Sequence, residues 1–287
     1  MGGWRKWGAD NPVLRYHLVG QLRAIVRRPW WQIALIGLPC GVLYGYLLRF
    51  TLQGGSPLIL GLECLVLWLI APLMTHALFA SEFEKATWDM LVLTRLTAGQ
   101  IVMGKFLSRL IFLAAFVVFF LPLLAFSAGQ DFGTSHILGW LLKTQLVVIG
   151  WAVLLIAATL WLSYRLRRGM TTAALVLAGQ VFFLFILPAL WLLFFALILL
   201  TQPPFEVKGI YWMFSLRYAV WFYNPIFALI GTYAFTEVFA LIGTYAFTEG
   251  GEPFLWGVWQ GLVYLALAAL LVALLTRSVA KATRKPL

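Results

Sequence analysis

The chain has 287 residues, of which 63% are hydrophobic and only 11% are charged, with a formal net charge of +11. Its mean hydropathy is +0.93. Soluble domains carry roughly 25% charged residues, so this composition excludes an ordinary soluble enzyme or binding domain and places the chain in a bilayer.

Residues 1–29 form a basic cytoplasmic segment containing Arg5, Lys6, Arg15, Arg23, Arg27 and Arg28. No apolar stretch ending in a small-residue cleavage site opens it. Asn11–Pro12 predicts a helix start, with a capping side chain followed by proline at the first helical position. Leu14, Leu18, Leu22 and Ile25 then share one stripe, with Arg15, Arg23 and Arg27 beside it. This is the pattern of a helix lying flat in the membrane interface, its cations at lipid headgroups. Pro29, Trp30 and Trp31 mark the membrane boundary.

Six apolar runs follow, at about 30–50, 58–80, 108–128, 137–162, 170–200 and 254–276. Each can cross a hydrocarbon core of ~30 Å, and none alternates as barrel strands do, so all are predicted to be helices. The expected fold is an all-α integral membrane protein with a six-span domain over 30–276 and a basic tail at 277–287. Cys40 and Cys64 lie inside apolar runs and are expected to be small buried thiols. Glu63 and Lys143 lie inside spans two and four, where an ionisable residue reads as functional by default. Each stands within about two turns of an outer helix end, where a long side chain can reach the interface. A structural pair, Glu63 with Lys143 or with Arg49, is therefore expected ahead of a substrate or ion relay.

The basic residues orient the spans. Of the 21 Lys and Arg residues, only Arg49, Lys143, Lys208 and Arg217 fall outside the N-terminal segment, the loop after span two, the link between spans four and five, and the C-terminal tail. By the positive-inside rule those four segments, and both termini, are cytoplasmic. The +11 charge is thus a topology signal, and no nucleic-acid partner is expected. The outer loop, 201–253, holds a tandem duplication, FALIGTYAFTEV at 227–238 followed by FALIGTYAFTEG at 239–250. On a continuous helix twelve residues advance about 120° beyond three turns, so the copies present different faces. The parity of the spans, and the break at Asn224–Pro225, predict a re-entrant or surface helical segment here, in a loop that tolerates change.

The most informative stretch is SEFEKATWDMLVLTRLTAGQIVMGK, residues 81–105. Ser81 with Glu84, and Thr97 with Gln100, have capping-box spacing, which predicts two short helices breaking around Thr94–Thr97. Trp88, Leu91 and Val92 form an apolar patch beside Glu82, Lys85 and Asp89. That patch suits either docking to a soluble partner or packing on the chain's own helix ends.

The stretch resembles the cytoplasmic loop of type-2 ATP-binding-cassette (ABC) permeases, the membrane subunits of an exporter class. The shared features are Glu82, Glu84, Thr87, the run Trp88–Leu93, the turn Thr94–Thr97 and Ile101–Lys105, with Arg95 where the family has proline. Asn11-Pro12-Val13-Leu14 is similar to the family's entry into an N-terminal elbow helix. The resemblance implies a coupling helix in loop 81–106 that docks in a groove of a separate ABC ATPase subunit through Glu82, Glu84, Thr87, Trp88 and Leu91. It further implies a second permease subunit, and ATP and Mg bound on the ATPase partner rather than on this chain, in a plasma-membrane exporter.

Gly99 to Lys105 nearly spells a phosphate-binding loop, but Phe106 stands where the Mg-ligating hydroxyl is needed and no strand precedes it. The stretch is predicted to open span three, and the chain is not expected to be an ATPase. His17, His76 and His136 are dispersed, so no metal site or hydrolytic motif is expected. An ion-coupled secondary transporter and a non-transporting membrane scaffold are the alternative readings.

Overall fold

The computed structural model describes residues 11–27, 29–52, 55–94, 96–132, 137–190, 193–194, 197, 224–226, 229 and 256–283, and no strand occurs among them. Its helices are α1 (Pro12–Val26), α2 (Trp30–Thr51), α3 (Ser56–Thr75), α4 (Ala77–Glu84), α5 (Trp88–Leu93), α6 (Ala98–Phe132), α7 (Ile137–Leu166), α8 (Gly169–Val181) and α9 (Trp256–Thr283), with a π-helical turn, Phe182–Ile186, continuing α8. Five helical stretches among the described residues are long and apolar enough to span a bilayer: Ser56–Glu84, Ala98–Asp131, Ile137–Leu166, Gly169–Leu190 and Val258–Thr283. The chain is therefore an all-α, multi-pass membrane protein. The first expected run, 30–50, is the 22-residue helix α2 and is not one of these five. The outer loop 201–253 with its duplication lies outside the described residues except at 224–226 and 229, as do Arg95 and the last four residues of the tail.

Helix α7 is the hub. In its most apolar window 67% of residues are buried inside the protein, against 28% for α6. It touches α3, α4, α6, α8 and α9, most extensively α9. That contact is possible because glycine faces glycine. A Cβ on Gly150 would stand 2.9 Å from the Gly261 carbonyl oxygen, and one on Gly261 would stand 2.7 Å from the Leu146 oxygen. Between membrane helices the association comes from close backbone approach rather than hydrophobic driving force, which is why small residues sit at the crossing.

Two of the expected helix starts are present. Asn11 Oδ1 accepts from the Val13 and Leu14 amides at 3.0 and 3.4 Å. Its Nδ2 donates to the Gln100 carbonyl at 2.8 Å, so the cap also ties α1 to α6. The approach is close enough that a Cβ on Gly104 would meet Val13 Cβ at 2.7 Å. Thr97 and Gln100 form the reciprocal capping box, with bonds of 2.9 and 3.3 Å. The third expected start is corrected. Ser81 is inside α4, which follows α3 through a bend at His76, so there is no helix start for Ser81 and Glu84 to cap. The expected break around Thr94–Thr97 separates α5 from α6, and a further break falls at Lys85–Thr87, where Ala86 has φ +53° and Thr87 is the residue preceding α5.

Proline shapes α3. Pro72 lacks an N–H and so leaves the Trp68 carbonyl without its intrahelical donor. The Gln180 side chain donates to that carbonyl at 3.1 Å, which joins α8 to α3. Beyond the bend, Ser163 of α7 donates to the His76 carbonyl at 2.7 Å and accepts from the Phe79 and Ala80 amides. The bend is thereby held by one hydroxyl from the hub. Cys64 is buried as expected, but Cys40 is exposed on α2, because α2 packs lightly against its neighbours and leaves most of its surface uncovered.

Candidate functional site

The basic segments converge on one end of the bundle. Asn11 meets Gln100, Tyr164 donates to the Ser278 carbonyl at 3.3 Å, and the Gly169 amide donates to Glu84 at 2.9 Å. These contacts bring the start of α1, the α3–α6 connection, the α7–α8 link and the end of α9 together. Helix α6 has 35 residues, a length of about 52 Å at the α-helical rise. That exceeds a hydrocarbon core of ~30 Å, so its first turns project at this basic end.

At the centre is Lys105, fully buried. Its Nζ lies 2.5 Å from Glu82 Oε1, donates to the Leu78 carbonyl at 2.5 Å and sits 4.1 Å from the centroid of Phe79. A buried ammonium survives when ion pairing and further hydrogen bonds replace its hydration, and here both are present along with an aromatic face. Lys105, dismissed in the sequence as the lysine of a broken phosphate loop, is thus the bolt between α4 and α6. Its signals in the sequence were its place at the end of the Ile101–Lys105 run and a lysine two turns into an apolar helix.

The loop is mounted on an aromatic cluster. Phe83 and Trp88 stack at 4.8 Å, Trp88 and Tyr164 lie 5.8 Å apart, and Phe79 and Tyr164 5.7 Å apart. Arg167, in the left-handed region at φ +56°, lays its guanidinium 4.8 Å from the Phe83 ring. Glu84 supplies its carboxylate to the amide at the start of α8, where a helix N-terminus favours an anion.

All five expected docking residues thus have internal contacts. Glu82 binds Lys105, Glu84 caps α8, and Trp88 and Leu91 pack against the core. Thr87 is exposed, with its amide on the Glu82 carbonyl at 2.9 Å. The outward face of α5 carries Met90 and Leu93, 72% and 74% exposed, beside exposed Asp89.

The expected intramembrane pair takes a different form. Glu63 is fully buried, and its Oε2 accepts from Gln145 Nε2 at 2.8 Å. The ion pair among the described residues is Lys105–Glu82, not Glu63 with Lys143 or Arg49. Arg49 is exposed, and Lys143 is half-buried on a different face of α7 from Gln145. Glu63 Oε1 and Gln145 Oε1 have no hydrogen-bond partner among the described residues. Further along the same helices, Trp68 and Trp151 lie 6.4 Å apart, and Trp151 and Tyr264 of α9 5.1 Å apart.

No protein-family model and no curated protein matches this chain.

Two polar residues gain their surroundings only from the fold. His17 on α1 is half-buried, and its imidazole is pushed down to about 4 by burial first and then by the charges of Lys105 and Arg109. Asn224, at the expected break, is buried. It donates to the Phe183 and Leu184 carbonyls at 3.2 and 3.1 Å and accepts from the Ile226 amide at 2.9 Å. A π-turn displaces carbonyls from the regular ladder, and Asn224 satisfies two of them.

Proposed function

We propose that the chain is the membrane-spanning permease subunit of an ATP-driven ABC exporter. In this reading α2 completes six spans, α1 is the interfacial elbow, and the basic end faces the cytoplasm from a plasma membrane. The subunit works as a dimer with two separate ATPase subunits, which bind ATP and Mg. The resemblance of residues 81–105 carries the assignment. The observation that supports it is the build of α5, a short helix between two long apolar stretches at the basic end, packed inside on Phe83 and Tyr164 and bare outside at Met90 and Leu93. A rigid mount with an apolar outer face suits transmission of movement from a docked partner.

The geometry refines the docking face. Trp88 and Leu91 anchor the helix, Glu82 and Glu84 clamp it to α6 and α8, and Met90, Leu93 and Thr87 are presented outward. Full-length tagged protein purified from its native membrane should carry a soluble subunit that hydrolyses ATP. Met90→Asp with Leu93→Asp should remove that activity without lowering membrane insertion. Undiminished ATP hydrolysis in the double variant would sink the assignment.

An ion-coupled carrier is the second reading, and buried Glu63 is the observation that favours it. Flux driven by an ion gradient in vesicles lacking any ATPase, and abolished by Glu63→Gln, would decide for it.

A further inference from the structure

Arg109 is 8% exposed, and its Nε is buried without a hydrogen-bond partner among the described residues. Its recorded side-chain contact is weak, with the guanidinium carbon 5.9 Å from the Phe112 ring centroid. Among the described residues, the acids of this end are otherwise engaged or exposed. Glu82 is held by Lys105, Glu84 caps α8, and Asp89 is exposed on α5. His17 on α1, whose imidazole feels the Arg109 charge, is held neutral near physiological pH and carries no negative charge in any state. Lys105 adds repulsion. A buried guanidinium with no counter-charge is strongly unfavourable, so an anion from outside the described chain fits the site.

The surroundings say which anion. Arg109 lines a crevice of about 10 Å³ whose other walls are Ile70, Met74 and Thr75 on α3, Leu113 and Phe116 on α6, and Ile156 on α7. Thr75 Oγ1 is engaged by the Ala71 carbonyl at 2.6 Å, so the guanidinium is the polar group left to face a ligand. The space admits about one water molecule, too little to enclose a phosphate. Any phosphate must therefore sit at the mouth, against the half-buried apolar sides of Ile70, Met74 and Phe116. Arg109 stands eleven residues after the start of α6, about 16 Å along its axis, where the projecting turns give way to the apolar span.

We infer that Arg109 anchors the phosphate of an anionic phospholipid at the basic end of the bundle, with the lipid's acyl chain lying along the α3–α6 seam. A guanidinium can offer two parallel N–H donors to a phosphate, and basic pockets between membrane helices are suited to such headgroups. The apolar walls distinguish the ligand from free phosphate, since a soluble anion gains nothing from Ile70, Met74 or Phe116. The inference is independent of the transport reading and holds for any function of the chain.

The test uses the full chain in nanodiscs of dioleoyl phosphatidylcholine doped with an acyl-diazirine phosphatidylglycerol. After photolysis, peptide mapping should place label on the segments containing Ile70–Met74 and Leu113–Phe116. Arg109→Gln should lower that label about tenfold, and Arg109→Lys should retain most of it, as expected for loss of a charge-assisted contact. Unlabelled phosphatidylglycerol should compete, and phosphatidylcholine and inorganic phosphate should not. Label spread evenly over the lipid-facing helices of the wild-type protein would overturn the inference, a result that does not depend on any variant folding. Equal labelling of wild type and Arg109→Gln would overturn it too, as would competition by inorganic phosphate as effective as that by phosphatidylglycerol.

Discussion

Lys105 at the basic end and Glu63 toward the opposite end of α3 are both fully buried, yet they are treated in opposite ways. Lys105 has a carboxylate, a carbonyl and an aromatic face. Glu63 has one neutral amide and an oxygen with no partner among the described residues. The ammonium of Lys105, engaged on every side, rigidifies the elements it joins, here α4 and α6, and the oxygen left without a partner among the described residues is Oε2 of the half-buried Glu82. An unsaturated site such as that of Glu63 contributes little to holding helices together, and a carboxyl group kept there is a candidate for work rather than for structure.

The contrast is most sharply broken by Lys105→Met. Removing the lysine leaves the half-buried Glu82 carboxylate uncompensated; breaking a fully buried pair costs about 3–5 kcal/mol, and the 20% exposure of the Glu82 side chain puts this loss toward the low end of that range. Adding Glu82→Gln should recover most of the loss, and denaturation in mixed micelles reads both steps. A loss below about 1 kcal/mol for the single variant would show that Lys105 is not a bolt.

Acidification should give a smaller effect at the same end. The folded His17 titrates at about 4 and an unfolded histidine near 6.5. Between those values the unfolded chain binds the extra proton, so stability falls as pH is lowered through this window and His17 contributes no further loss below it. Melting of wild type and His17→Gln near pH 7 and about pH 5 should show a steeper acid loss for the wild type.

The smallest effect is expected at Glu63. Glu63→Gln keeps an oxygen to accept from Gln145 and removes an ionisable group that has no counter-charge, so stability should change by less than about 1 kcal/mol or rise. A drop as large as that at Lys105 would erase the distinction between the two sites. Retained folding with lost transport would sharpen it.

Much of the helical framework was legible in the sequence because its causes are local. Asn11–Pro12 and Thr97-x-x-Gln100 cap the helices that their spacing predicts, since a short polar side chain reaches amides two or three residues away whatever lies beyond. Ser81 and Glu84 have the same spacing and cap nothing together. The apolar run of span two bends at His76 and continues as α4, and the tertiary contacts of Ser163 hold that bend. The docking residues were legible as a motif but not as a face. Trp88 and Leu91 stand out in the sequence because they are large and apolar, and the same property draws them inward, Trp88 against Tyr164 and Phe83 and Leu91 against the core. Met90 and Leu93 are left outside.

The sequence by itself determined the solvent. A chain with 63% hydrophobic residues, in runs long enough to cross a bilayer, must close its backbone hydrogen bonds inside helices, and its cations then sort to one end. Tertiary structure decided which charges meet. Whether Lys105 finds Glu82, Glu63 finds Gln145, or Arg109 finds no acid among the described residues depends on how α3, α6 and α7 rotate about their axes. That rotation is set by glycine contacts such as Gly150 on Gly261 and by carbonyls such as Trp68 freed by Pro72, and spacing along one helix does not encode what the next helix presents to it.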